Sequence, residues 1–146
     1  MKNDYDLTIT KLAPLIRRKA ISPVEITQFL LDRISRLQPD LNAYITVCAE
    51  SALARAKRAE QEIARGRYKG FLHGIPISLK DLFYTRGIPT TAGSKILRSF
   101  VPGKNAPVVD RLMRAGCILL GKTNMHEFAF GATNINPHFG PVRNPW

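Results

Sequence analysis

Two cysteines, Cys48 and Cys117, are all that the 146 residues contain, and they fit neither a dense disulfide framework nor a metal-ligand spacing. A reducing cytoplasm is the expected compartment. Long apolar runs are missing as well: no stretch approaches the roughly 20 apolar residues of a spanning helix. Residues 1–6 are polar and charged, without the apolar core of a signal peptide. Membrane insertion and secretion are both disfavoured. Acidic side chains are scarce, 11 Asp and Glu against 22 Lys and Arg, a net charge of +11 that raises the question of a polyanionic partner. The positions of the cations argue against it. Arg17, Arg18 and Lys19 fall at the end of a helical pattern, where positive charge suits the helix dipole. Arg55, Lys57, Arg58, Arg65, Arg67 and Lys69 decorate an alanine-rich segment and its exit, with no aromatic residues interleaved as a single-strand stacking platform requires. Solvated helix faces are the expected reading, and nucleic acid is not the expected partner; a non-catalytic basic binding module stays as the rival reading.

What is present suits an ordinary domain, with 45% hydrophobic residues. The first half reads as helices. One is expected to start at Thr10, so that Pro14 falls in its first turn, where a missing N–H costs little. In the second, Ser22-Pro23-Val24-Glu25 places a hydroxyl at the N-cap, proline at N1 and glutamate at N3, and Ile26, Phe29, Leu30, Ile34 and Leu37 form one apolar stripe. Pro39 is expected to end it. A third helix is expected over about residues 49–65, with Gly66 supplying the left-handed residue after its end. Beyond Gly70 the texture becomes strand-like. Residues 75–80 alternate, with Ile75, Ile77 and Leu79 facing one way and Ser78 and Lys80 the other. Residues 105–115 read as a helix closed by Gly116, and 117–120 as a short apolar strand. This is an α/β rhythm. Residues 134–146 read as a loop.

Residues 116–123, Gly-Cys-Ile-Leu-Leu-Gly-Lys-Thr, fit the phosphate-loop expression letter for letter. The context excludes it: such a loop follows a strand and opens a helix, whereas here the middle residues are themselves the strand. His73, His126 and His138 are far apart, without the pair one helical turn apart that a helical zinc site uses, so no metal is expected. Lys80, ending the alternating run and followed by Asp81, leaves two readings open. Carried into a low-dielectric interior it becomes a general base, since burial favours the neutral amine; left at the strand end it is a snorkelling lysine paired with Asp81. Ser78 on the same face invites a Ser-x-Lys reading that nothing else supports.

In order, His73-Gly74-Ile75-Pro76-Ile77-Ser78-Leu79-Lys80-Asp81, Thr90-Thr91-Ala92-Gly93-Ser94, residues 105–116, Gly121-Lys122-Thr123-Asn124-Met125-His126-Glu127-Phe128-Ala129 and Gly140-Pro141-Val142-Arg143-Asn144-Pro145-Trp146 resemble the landmarks of the amidase-signature family. Ser22-Pro23-Val24-Glu25 and Leu41-Asn42-Ala43-Tyr44 resemble its N-terminal helical region. The resemblance implies an α/β fold in which N-terminal helices are followed by the first part of a mixed sheet covered by helices. It implies hydrolysis of carboxamides by a lysine, a cis-serine and a nucleophilic serine, with Lys80 as the lysine, its stem buried, and no cofactor or metal. Asn124 and Met125 are its candidate substrate-binding residues. The Gly/Ser-rich signature that supplies both serines follows the last landmark, so residues 1–146 are expected to be the N-terminal part of a single amidase domain, incomplete at its C-terminus and inactive alone. A small-molecule amide, and a second chain or a further C-terminal segment, are the expected partners. A second reading within the resemblance is a segment of the glutaminase-type subunit of a tRNA-dependent amidotransferase.

Overall fold

The computed structural model describes residues 8–146. The expected helix start at Thr10 is displaced: α1 spans Ile9–Arg17, because Thr8 takes the N-cap and its hydroxyl accepts the Lys11 N–H. Pro14 therefore lies in the second turn, inside the helix. In α2, Pro23–Leu41, both halves of the capping box form: the Ser22 hydroxyl accepts from Val24 and Glu25 N–H, and the Ser22 N–H donates to Glu25. Such a cap is worth about 1 kcal/mol. Pro39 does not end this helix. It removes one backbone bond, but the stop comes at Asn42, left-handed at φ 51°, whose N–H donates to the Gln38 carbonyl. The Gln38 side chain then grips the next strand, donating to the Tyr44 carbonyl at 2.7 Å and accepting the Tyr44 N–H at 3.0 Å.

That strand, β1 at Tyr44–Val47, has no counterpart in the sequence expectation. The rest follows it closely: α3 Ala49–Ala64, β2 Pro76–Lys80, α4 Pro107–Arg114, β3 Ile118–Thr123 and a short 3-10 turn, Glu127–Ala129. The sheet order is β1-β3-β2, with β1 antiparallel and β2 parallel to β3. Alternation along β3 gives each sheet face its own core. Ile118 and Leu120 pack with Leu31 of α2 and with Ala52 and Ala56 of α3, the small alanines letting that helix lie close. Leu119 packs instead with Leu79 and with Val109 of α4. A third cluster, built on Leu12, Ile16, Ile26, Ile63 and Ile75, ties α1 to the helix pair and to the approach to β2. The architecture is therefore α/β with a mixed sheet between helices. A register irregularity near Ile77 and Ser78 offsets β2 against β3 by one residue, so Ser78 pairs with Gly121, Leu79 with Lys122 and Lys80 with Thr123. Residues 134–146 form loop structure, as expected, and return to the N-terminal half where the Arg143 N–H donates to the Leu41 carbonyl. Among the described residues no helix is long and apolar enough to cross a membrane.

Candidate active site

Strand alternation fixes what happens at the end of β2. Leu79 points into the core, while Ser78 and Lys80 are exposed on the opposite face. Tyr44 lies on that face too, its ring crossing β3 where Gly121 has no side chain; a Cβ there would stand 2.9 Å from Tyr44 Cδ1 and 2.3 Å from the Thr46 carbonyl oxygen. The Tyr44 hydroxyl meets Ser78 Oγ at 2.5 Å, so Ser78 is engaged by a neighbour. The expected burial of the Lys80 stem is not found in residues 8–146: Lys80 is exposed. The alternative pairing with Asp81 is not found either, because Asp81 turns inward to a different lysine.

That lysine is Lys122. Both side chains are 0% exposed, with Lys122 Nζ 3.1 Å from Asp81 Oδ1. The ammonium donates to the Phe83 carbonyl at 2.9 Å and to Thr90 Oγ1 at 2.7 Å. Asp81 Oδ2 accepts from the Thr91 N–H at 2.9 Å and from the Thr91 hydroxyl at 2.5 Å. Burial pulls Lys122 below the ordinary lysine value, and the facing Asp81 opposes that pull. Around this pair the backbone is stitched on both sides: the Asp81 N–H donates to the Thr123 carbonyl, and the Ala92 N–H donates to the Asp81 carbonyl.

The stitching continues through the other landmark segments. Ala92 and Gly93 are both left-handed, at φ 50° and 66°. A Cβ on Gly93 would stand 2.9 Å from the Met125 carbonyl oxygen, so this turn needs glycine. The Ala92 carbonyl accepts the Phe128 N–H, and Asn136 Nδ2 donates to the carbonyls of Gly93 and Met125, each at 2.7 Å. Glu127 accepts hydrogen bonds from Ser94 and from His138, which hold its carboxyl below the usual range, the Ser94 bond foremost. Asn124 and Met125, the candidate substrate-binding residues, are buried, and Asn124 Nδ2 donates to the carbonyls of Asn42 and Gly140 at 3.1 Å each. In residues 8–146 the Asn124 side chain and the Met125 backbone carbonyl fasten chain segments together.

A family model described as Amidase matches residues 25–146. This chain belongs to the amidase family. It is 49% identical over 142 residues to a glutamyl-tRNA(Gln) amidotransferase subunit of Coxiella burnetii strain Dugway 5J108-111, a match covering 97% of this chain and 29% of that protein. The chain thus spans less than a third of the curated relatives it matches. Among solved structures it resembles the native peptide amidase of Stenotrophomonas maltophilia, with a TM-score of 0.88 and 33% identity over 97% of this chain and 30% of that one. It also resembles a chain from a vestigial protein complex bearing on the origins of an s-triazine catabolic enzyme, with a TM-score of 0.91 and 36% identity over 95% of this chain and 31% of that one.

For an amidase-family segment, the residue that sequence reasoning missed is Lys122. It sits inside the phosphate-loop lookalike, and the signal was its place at the end of an apolar strand beside the one that carries Lys80 and Asp81. The lookalike itself is strand and tight turn, with Lys122 spent on Asp81. No group of three or more His, Cys, Asp or Glu side chains able to hold a metal occurs among the described residues. His73 is a packing residue, buried against Gly116, where a Cβ would stand 2.4 Å from the imidazole. Its Nδ1 accepts the Lys69 N–H, so in the neutral ring Nε2 carries the proton toward Glu62, 3.1 Å away.

Burial first, and then the Lys69 charge, lower the His73 pKa from 6.5, while the Lys69 hydrogen bond foremost brings Glu62 from 4.5 to about 2. Both signs run the same way. Below pH 6.5 the unfolded histidine takes up protons before the folded one, and below pH 4.5 the unfolded glutamate does so down to about 2. Thermal melting followed from pH 8 downward is therefore expected to weaken in two stages, with Glu62→Gln flattening the second. A melting temperature that is level down to pH 5 would contradict the His73 assignment.

Proposed function

We propose that residues 1–146 are the N-terminal part of a single amidase domain that hydrolyses carboxamide C–N bonds, with Lys80 as the lysine of a serine, cis-serine and lysine triad. The observation that carries this reading is the placement of Lys80: an exposed amine at the C-terminal end of β2, beside which the following residue is locked into the body of the sheet. An amine used as a base must lose its proton, and covering by further protein favours the neutral form. Neutral Lys80 takes a proton from the cis-serine, which takes one from the nucleophilic serine as it attacks the carbonyl. The relay then returns a proton to the leaving amine, and backbone N–H groups beside the nucleophile stabilise the oxyanion. Both serines lie outside residues 1–146 in this reading. Asn124 and Met125 serve substrate binding in this reading, with Asn124 holding its segment in place through the Asn42 and Gly140 carbonyls. The compartment is the cytoplasm.

A second reading within the same chemistry is the glutaminase-type subunit of a tRNA-dependent amidotransferase, with glutamine as the amide and other polypeptides of that assembly as partners. It is favoured by the relatives named as glutamyl-tRNA(Gln) amidotransferase subunits, at 45–49% identity. One assay tests both: ammonia release from glutamine and from a panel of simple carboxamides by the full polypeptide that the gene encodes, with residues 1–146 alone as control. Release by the full polypeptide and none by the control is expected, with a preference for glutamine marking the second reading. Turnover by residues 1–146 alone that disappears in Lys80→Ala would overturn the triad as drawn, and no turnover from any amide by the full polypeptide would overturn both readings.

A further inference from the structure

Two full charges buried side by side are costly, because each loses its hydration and only good geometry offsets the loss. In this chain the pair stands where β2 and β3 end, on the far side of the backbone from Lys80. Each partner holds a different piece of chain. Lys122 gathers the Phe83 carbonyl and the Thr90 hydroxyl, so it closes the loop that leaves β2. Asp81 gathers Thr91 through two bonds, and the Thr91 hydroxyl in turn accepts the Gly93 N–H, which sets the left-handed turn. With the Phe83 N–H donating to the Lys80 carbonyl, the peptide groups on both sides of Asp81 are fixed in direction. A pair placed for stability alone would do as well with apolar residues of the same size. What apolar residues cannot do is bind these two loops in one orientation through hydrogen bonds.

The geometry points to Asp81 and Lys122 as a positioning pair for Lys80, fixing the direction of the backbone that carries it. This rests on the reading of Lys80 as the base. The pair touches no substrate in this assignment; it acts through Lys80.

The test uses the full polypeptide encoded by the gene and reads kcat and KM separately, with melting curves alongside. Asp81→Asn weakens the hold on Thr91, and Lys122→Met releases the Phe83 carbonyl and the Thr90 hydroxyl; each is expected to lower kcat about tenfold with KM unchanged. The D81N/K122M double variant, in which no lone charge stays buried, is expected to regain melting temperature while kcat stays about tenfold low. Should Lys122→Met fail to fold, the comparison of Asp81→Asn with the double variant carries the test. A double variant with the kcat of the wild type, or one in which KM rises while kcat holds, overturns the proposal whatever the melting temperature does. Full turnover in Lys80→Ala would instead remove the reading on which it rests.

Discussion

Lys80→Ala lowers kcat for amide hydrolysis by the full polypeptide by about 10²–10⁴-fold, the range that a positioned proton-transfer group supplies. In residues 1–146 alone the melting temperature stays where it was, because there Lys80 is exposed and fills no core position. Lys80→Arg does not rescue: guanidinium stays protonated at any working pH and cannot take a proton from a serine. Lys80→Met, which keeps the stem and loses the amine, falls as far as alanine, and that separates chemistry from packing. Steady-state kinetics on the three variants, with melting curves alongside, are the check. An alanine variant within about fivefold of the wild type would leave Lys80 as a surface lysine and the triad without its base.

The lysine at the end of the neighbouring strand behaves in the opposite way. Lys122→Met costs about 3–5 kcal/mol of folding stability, because it leaves the Asp81 carboxylate in the interior without its cation. The hydrogen bonds to Phe83 and Thr90 go with it, which loosens the loop after β2. Replacing both partners at once, D81N/K122M, recovers much of the loss, since no lone charge then stays buried. Urea denaturation of the single and double variants measures the difference. A loss below about 1 kcal/mol in Lys122→Met would mean that water reaches the pair and that the strand ends are not held by it.

The contrast between these lysines shows how far a reading along the chain carries. Local patterns decided most of the elements: the Ser22 capping box, the alanine ladder of α3 with Gly66 after it, the alternation of residues 75–80, and the helix closed by Gly116 before an apolar strand. Each depends on contacts within a few residues, so the order of side chains is enough to recover it. The places where that reading slipped have long-range causes. Pro39 reads as a stop, yet the stop is Asn42, fastened by carbonyls of Phe139 and Pro141 from the far end of the chain. Strand β1 is a strand because β3 and the Gln38 side chain supply partners for its backbone.

An α/β chain of helices and short strands, the order of its landmark segments and, through them, the amidase family with Lys80 at a strand end were all legible from residue order. Which lysine Asp81 meets was not. On the alternating pattern Asp81 stands next to Lys80, but a strand sends successive side chains to opposite faces, and the one-residue offset between β2 and β3 brings Lys122 to the buried side instead. Charge pairing in an interior follows distance through space, and register, which no single segment contains, sets that distance.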